Sequence, residues 1–155
     1  MSIIIRFLAT LLLSGVLMGC AISGVNGELE NHISRLVDET TKSAKTQEKA
    51  LAELGKLGQQ AVPSLIGHLS DNRPLAAPKI TLANKASDSF EASRHYSPET
   101  VHDAIAAILN QITGESFLFV YNGATPEERK QNYEKWKLWC KSNYPGKIEA
   151  CGNEP

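Results

Sequence analysis

Four histidines, His32, His68, His95 and His102, are the side chains of this sequence with the widest chemical range. Imidazole can ligate zinc or exchange a proton near neutral pH. No His-Glu-x-x-His run and no cysteine–histidine ligand set is present, and no two histidines stand four apart. A zinc site would have to be assembled in space, from His95, His102 and Asp103; the alternative is that the histidines are surface side chains. Nucleophile chemistry has no better footing, because the sequence lacks a Gly-x-Ser-x-Gly elbow, a phosphate loop and a dinucleotide glycine fingerprint. Ser64 follows Pro63 at an expected helix start and reads as a structural hydroxyl. The acid pairs Asp38-Glu39 and Glu127-Glu128 read as capping or solvated groups. With 155 residues, 42% of them hydrophobic and 21% charged, the chain has enough apolar surface for one folded domain. A formal net charge of -1 gives no concentrated positive field, so nucleic acid is not an expected partner. No cofactor is expected.

The cysteines point to an address. Residues 1–20 carry one early cation, Arg6, then an apolar run from Phe7 to Met18 broken only by Thr10, Ser14 and Gly15, then Gly19-Cys20. This is the layout of a secretory signal, and the run is shorter than the roughly 20 residues a membrane-spanning helix needs. Leu17-Met18-Gly19-Cys20 resembles the bacterial lipoprotein box, although Met18 is a less common choice at its position. The resemblance implies a signal peptide over 1–19, acylation of Cys20 as the new first residue and a lipid bilayer as partner. Ala21 stands where an inner-membrane retention signal would place Asp, which implies the outer membrane, facing the periplasm, if the source is Gram-negative. The alternative is an ordinary cleaved signal with an incidental cysteine. Export leaves Cys140 and Cys151 in an oxidising compartment, with Pro145-Gly146 between them to turn the chain back, and a disulfide is expected. Free thiols, or a metal site with too few ligands, are the alternatives.

The expected folded domain is 28–155, reached from the lipid by a short tether at 20–27. Leu29, Ile33, Leu36 and Val37 recur at i, i+4, i+7 and i+8, which predicts an amphipathic helix from Glu28 to about Ser43. Thr46 is the expected cap of a second helix over 47–57, and Pro63 lies near the start of a third that runs to about Ser70. Leu54-Gly55, Leu57-Gly58, Val62-Pro63 and Leu69-Ser70-Asp71 resemble one unit of a HEAT-like repeat. The resemblance implies antiparallel helix pairs that need neighbours to cover both apolar faces.

Residues 71–96 interrupt the helical pattern with Pro74, Pro78 and scattered apolar groups. The alternations Lys79-Ile80-Thr81-Leu82 and Ser89-Phe90-Glu91-Ala92 allow a small hairpin. An insertion of this length in a compact domain is either functional or disordered, and it is the leading candidate for partner contact, through Asp71, Arg73, Lys79, Phe90, Arg94, His95 and Tyr96. Ser97-Pro98-Glu99 then predicts a capped helix start, followed by the widest apolar stripe in the chain, Val101, Ala104, Ile105, Ile108, Leu109 and Ile112, and a stop at Gly114. Phe117 to Tyr121 reads as a short strand or an extended segment packed over the helices. Thr125-Pro126-Glu127-Glu128 predicts a capping box for a last helix to about Ser142, with Trp136 and Trp139 as core and its cations balancing the helix dipole. Ile112-Thr113-Gly114, Phe117 and Trp136-Lys137-Leu138-Trp139 resemble the close of HEAT-like bacterial proteins.

The fold class expected is therefore mainly α, with about five helices in HEAT-like pairs and a long irregular insertion that can hold a β-hairpin. The function expected is a non-enzymatic, lipid-anchored, protein-binding module, such as an immunity protein or an envelope assembly factor. The alternative is an envelope enzyme or lyase-like factor built on a His/Asp site.

Overall fold

The computed structural model describes residues 20–85 and 90–152. The expected signal peptide, 1–19, and Ser89 of the expected hairpin lie outside the described residues. The chain is mainly α, with one small antiparallel two-stranded sheet among the described residues. Among the described residues no helix is long and apolar enough to cross a membrane.

Helix α1 (Cys20–Glu39) buries Ile33 and Val37, with Leu29 and Leu36 packed at the margin of the core, as their spacing requires. It begins earlier than expected, because residues 20–27 are helical and not an irregular tether. No proline interrupts them, and each glycine there costs a helix only about 1 kcal/mol. α1 stops before residue 43, where Thr40 and Thr41 turn their hydroxyls back onto the carbonyls of Val37 and Asp38. Helix α2 (Ala44–Leu57) is capped by Ser43 and not by Thr46, which occupies the third helical position and completes the capping box. A 3-10 turn at Gly58–Ala61 leads into the short helix α3 (Val62–Gly67), with Pro63 in its first turn.

The insertion is stitched to the domain at its base. Residues 71–75 run antiparallel to residues 99–102, with Leu75 N–H donating to Glu99, Val101 N–H to Arg73 and His102 N–H to Asp71. Those last two donors belong to the first turn of helix α4 (Val101–Thr113), whose N–H groups have no partner inside the helix. The hairpin follows as β1 (Ile80–Ala83) and β2 (Ser93–Tyr96), in the register Ile80 with Tyr96 through Ala83 with Ser93. The second strand lies four residues later than the alternation at Ser89 predicts. Phe90-Glu91-Ala92 belongs to the turn region, with Phe90 exposed, and Tyr96 at the end of β2 is the ring that turns inward.

α4 starts at Val101, later than Ser97-Pro98 predicts, because its capping box is built from Thr100 and Asp103. The Asp103 carboxylate accepts the N–H groups of Thr100 and Glu99, while Ser97 N–H donates outward to Asn122. Every residue from Val101 to Leu109 is buried, so this helix is the spine on which α2, α3 and β1 pack. It ends at Gly114 in the left-handed conformation, with φ of 78° and its N–H on Asn110. Residues 117–121 form no named strand. Helix α5 (Pro126–Asn143) starts with the expected Thr125–Glu128 box and buries Trp136 completely, its ring 4.8 Å from Phe117 and 5.5 Å from Trp139. Cys140 and Cys151 are bonded, S–S 2.03 Å, which folds the 3-10 segment Pro145–Cys151 against α3. A Cβ at Gly67 would stand 2.9 Å from the Ala150 carbonyl, so only glycine lets the tail approach this closely.

Candidate functional site

The three side chains expected to make a metal or acid–base centre, if one were assembled in space, have separate partners. His95 is exposed on β2, its Nδ1 3.0 Å from the Thr81 hydroxyl. His102 is not a surface histidine. It is 1% exposed, its Nδ1–H donates to the Leu69 carbonyl, and its Nε2 lies 3.1 Å from the Asn132 side-chain oxygen. Asn132 in turn donates to the Phe117 carbonyl. Burial pushes the His102 imidazole below its usual range, against the pull of the Leu69 carbonyl. Asp103 is fully buried and holds Arg129 in a two-point bond, 2.7 Å from Nε to Oδ1 and 2.8 Å from the terminal nitrogen to Oδ2, while Glu99 takes a third contact at 3.1 Å. The Asp103 bonds raise the Arg129 guanidinium above its usual range although burial opposes them. This network straps α5 to α4, and such fork-to-fork pairs are the strong form of the ion pair. Among the described residues no group of three or more His, Cys, Asp or Glu is arranged to hold a metal ion. Ser64 lies on the wall of a cavity of about 480 Å³ between α1, α3 and the tail, and no imidazole lines that cavity.

The insertion sorts its seven candidate contact residues into two kinds. Asp71 and Arg73 form a clip: the Arg73 guanidinium is 2.6 Å from Asp71 and 2.8 Å from Asp38 on α1. Hydrogen bonding to Asp71 raises Arg73 above its usual range. Tyr96 is 8% exposed and is a core residue, edge-on to Tyr121 at 5.7 Å, with its hydroxyl accepting from Gln111. These three fix the insertion in place, Arg73 with its side chain still half-exposed. Lys79, Phe90, Arg94 and His95 are exposed, Phe90 completely so.

Two parts of this surface escaped the sequence reading. Phe119 is 70% exposed and 5.1 Å from Tyr121, which continues the aromatic contact that starts at Tyr96. Its neighbour Leu118 has φ of 64°, an uncommon state for a bulky residue. The signal was present, since five large apolar residues in a row between glycines cannot all turn inward on an extended segment. The second part is a groove between α2 and β1. At its head the Gln47 side-chain amide both donates to and accepts from Ala77 of the approaching chain, each bond 2.8 Å. At its foot Gln111 accepts the Lys85 N–H at 3.1 Å. Two adjoining cavities of about 190 and 170 Å³ lie between, sharing Leu51 and Thr81. A four-residue strand gives too short a pattern to show which of its edges is open.

Comparison with known proteins finds no matching family model, no matching curated protein and no matching solved structure.

Proposed function

We propose that this chain is a non-enzymatic, lipid-anchored envelope protein that binds another protein through the hairpin and its flanks. In this reading α2 and α3 are a HEAT-like unit, acylated Cys20 moors the domain to a bilayer, and the domain faces the periplasm from the outer membrane if the source is Gram-negative. Neutralising a toxin or assisting envelope assembly are two roles such a module could fill. One observation carries the binding part: Phe90 is wholly exposed at the far end of a hairpin whose base is held by the Arg73 clip, the Gln47 amide and the bonds to residues 99–102. A bulky ring on a fixed support loses little entropy on binding, and rigid aromatic anchors dominate protein interfaces. The enzyme alternative asks for a shared His95, His102 and Asp103 site, and those side chains have separate partners.

The test is cross-linking on the membrane-bound chain with a photo-reactive phenylalanine in place of Phe90. A discrete adduct is expected, weakened by Arg94→Glu, while the same probe at Glu127 on α5 gives none. Equal labelling from both positions would refute the assignment of the surface. Cys20→Ser is expected to move the chain to the aqueous fraction; a chain that stays with the membrane would refute the anchor.

A further inference from the structure

We propose that the free edge of β1, between the Gln47 and Gln111 contacts, is a docking slot for an extended acidic segment of another protein, added as a third strand. The inference rests on the protein-binding reading above and names the chemistry of the partner.

The register decides which backbone groups are open. Asn84 N–H donates to the Ala92 carbonyl, so Asn84 and Ala92 are a hydrogen-bonded pair. In an antiparallel ladder bonded and non-bonded pairs alternate, which makes Leu82 with Arg94 and Ile80 with Tyr96 bonded, and Thr81 with His95 and Ala83 with Ser93 non-bonded. The close Thr81–His95 side-chain contact fits a non-bonded pair. The N–H and C=O groups of Thr81 and Ala83 therefore point away from β2, and among the described residues none of the four has a hydrogen-bond partner. At the approach to the strand and at its exit, glutamine amides occupy the backbone in the way a neighbouring peptide would. Between them, among the described residues, the edge is vacant.

A solvated edge needs no cavity beside it, yet this one overlooks the α2–β1 groove. Its floor is apolar, from Leu51, Leu82 and Ile108, and its helical wall is low, from Ala52 and Gly55. A Cβ at Gly55 would meet nothing within 4 Å. Alternate side chains of an added strand would enter this space while its backbone pairs with Thr81 and Ala83, the mode in which an exposed sheet edge takes a peptide. An incoming helix offers no free backbone groups to match.

Charge selects the partner. Lys56, Lys79 and Lys85 line the two cavities, against one acid, Glu48. Lys56 is paired with Glu53 and Lys85 donates to the Gly55 carbonyl, so Lys79 is the lining cation with neither an ion pair nor a side-chain hydrogen bond among the described residues. The same lysines disfavour a second copy of this chain, because edge-to-edge pairing centred on Leu82 would set Lys79 of each copy against Lys85 of the other.

The probe is a fluorescein-labelled Val-Glu-Val-Asp-Val-Glu peptide, titrated by anisotropy into the full chain in detergent. Saturable binding is expected, and methylating one alternate set of its backbone amides should weaken it at least about tenfold, or 1.4 kcal/mol, while methylating the other set should not. Ala83→Pro removes a groove-facing N–H and no bond to β2, and should weaken binding to a similar extent. Lys79→Glu should weaken binding and flatten its salt dependence. Equal binding by both methylated peptides, absence of saturation by about 1 mM, a tolerance that places the ligand among the weakest specific ones, or an Ala83→Pro-sensitive dimer on sedimentation would each overturn the slot. The methylated peptides keep the test valid if Ala83→Pro fails to fold. A failed slot alongside a surviving Phe90 cross-link would leave the binding surface standing, whereas loss of the cross-link would remove the surface itself.

Discussion

The α4–α5 junction and the hairpin face each set an arginine, a histidine and an aromatic ring, to opposite ends. Arg129, His102 and Trp136 are buried at the junction; Arg94, His95 and Phe90 are exposed on the hairpin. Arg129 has three carboxylate contacts, whereas Arg94 has no ion-pair partner among the described residues. His102 holds two elements together from inside, while the His95 ring bonds to Thr81 on the strand beside it. Residue type alone therefore does not mark the functional side chain. What marks it is whether the fold has already supplied its partners.

Removing a partner should separate the two regions sharply. Arg129→Ala leaves Asp103 as a buried charge without its cation, and losses of this kind run to about 3–5 kcal/mol in denaturant unfolding. Arg94→Ala on the hairpin should stay within about 0.5 kcal/mol. If the two substitutions cost the same, the contrast between spent and available cations is wrong. The next largest effect is expected from the disulfide. Cys140→Ala with Cys151→Ala opens a loop whose ends are 11 residues apart and should cost about 2–3 kcal/mol in the chain-entropy model. That loss belongs to the junction, so the aromatic near-ultraviolet signal of Trp136 and Trp139 should weaken before the hairpin is disturbed.

The junction was also the more legible region. Its helices follow from the stripe Val101 to Ile112, the Thr125–Glu128 box and the Cys140–Cys151 pair, all local or strongly patterned signals. Asp103 and Arg129 are 26 residues apart, and nothing in their surroundings announced that they meet. The hairpin was legible as a possibility, but its second strand was placed too early. Tyr96 was read as a contact residue when its ring is core, because a four-residue strand gives periodicity almost nothing to work on. The caps expected at Thr46 and Ser97 show the same limit: the Ser43 hydroxyl accepts the Thr46 N–H at the start of α2, and the Asp103 carboxylate, not a hydroxyl, takes the N–H groups at the start of α4. The open edge of β1 depends on pairing parity, which no single strand carries.

The smallest effect tests the histidines directly. Burial lowers both His102, beside Asp103 and Arg129, and His68, where Asp71, Glu30 and Asp38 oppose it. A buried imidazole below its unfolded value of about 6.5 means that the unfolded chain binds the extra proton first. Their contribution to stability is thus complete above that pH and is lost as the pH falls toward the folded values. Asp71 does not enter this window, because burial pushes it up but pairing with Arg73 outweighs that and holds it below its ordinary carboxylate value. Unfolding followed between pH 7.5 and pH 5.5 should show stability falling with acid, and His102→Gln should flatten that slope whatever it does to the absolute level. A slope that His102→Gln leaves as steep as before would show that the fold has not taken up that imidazole.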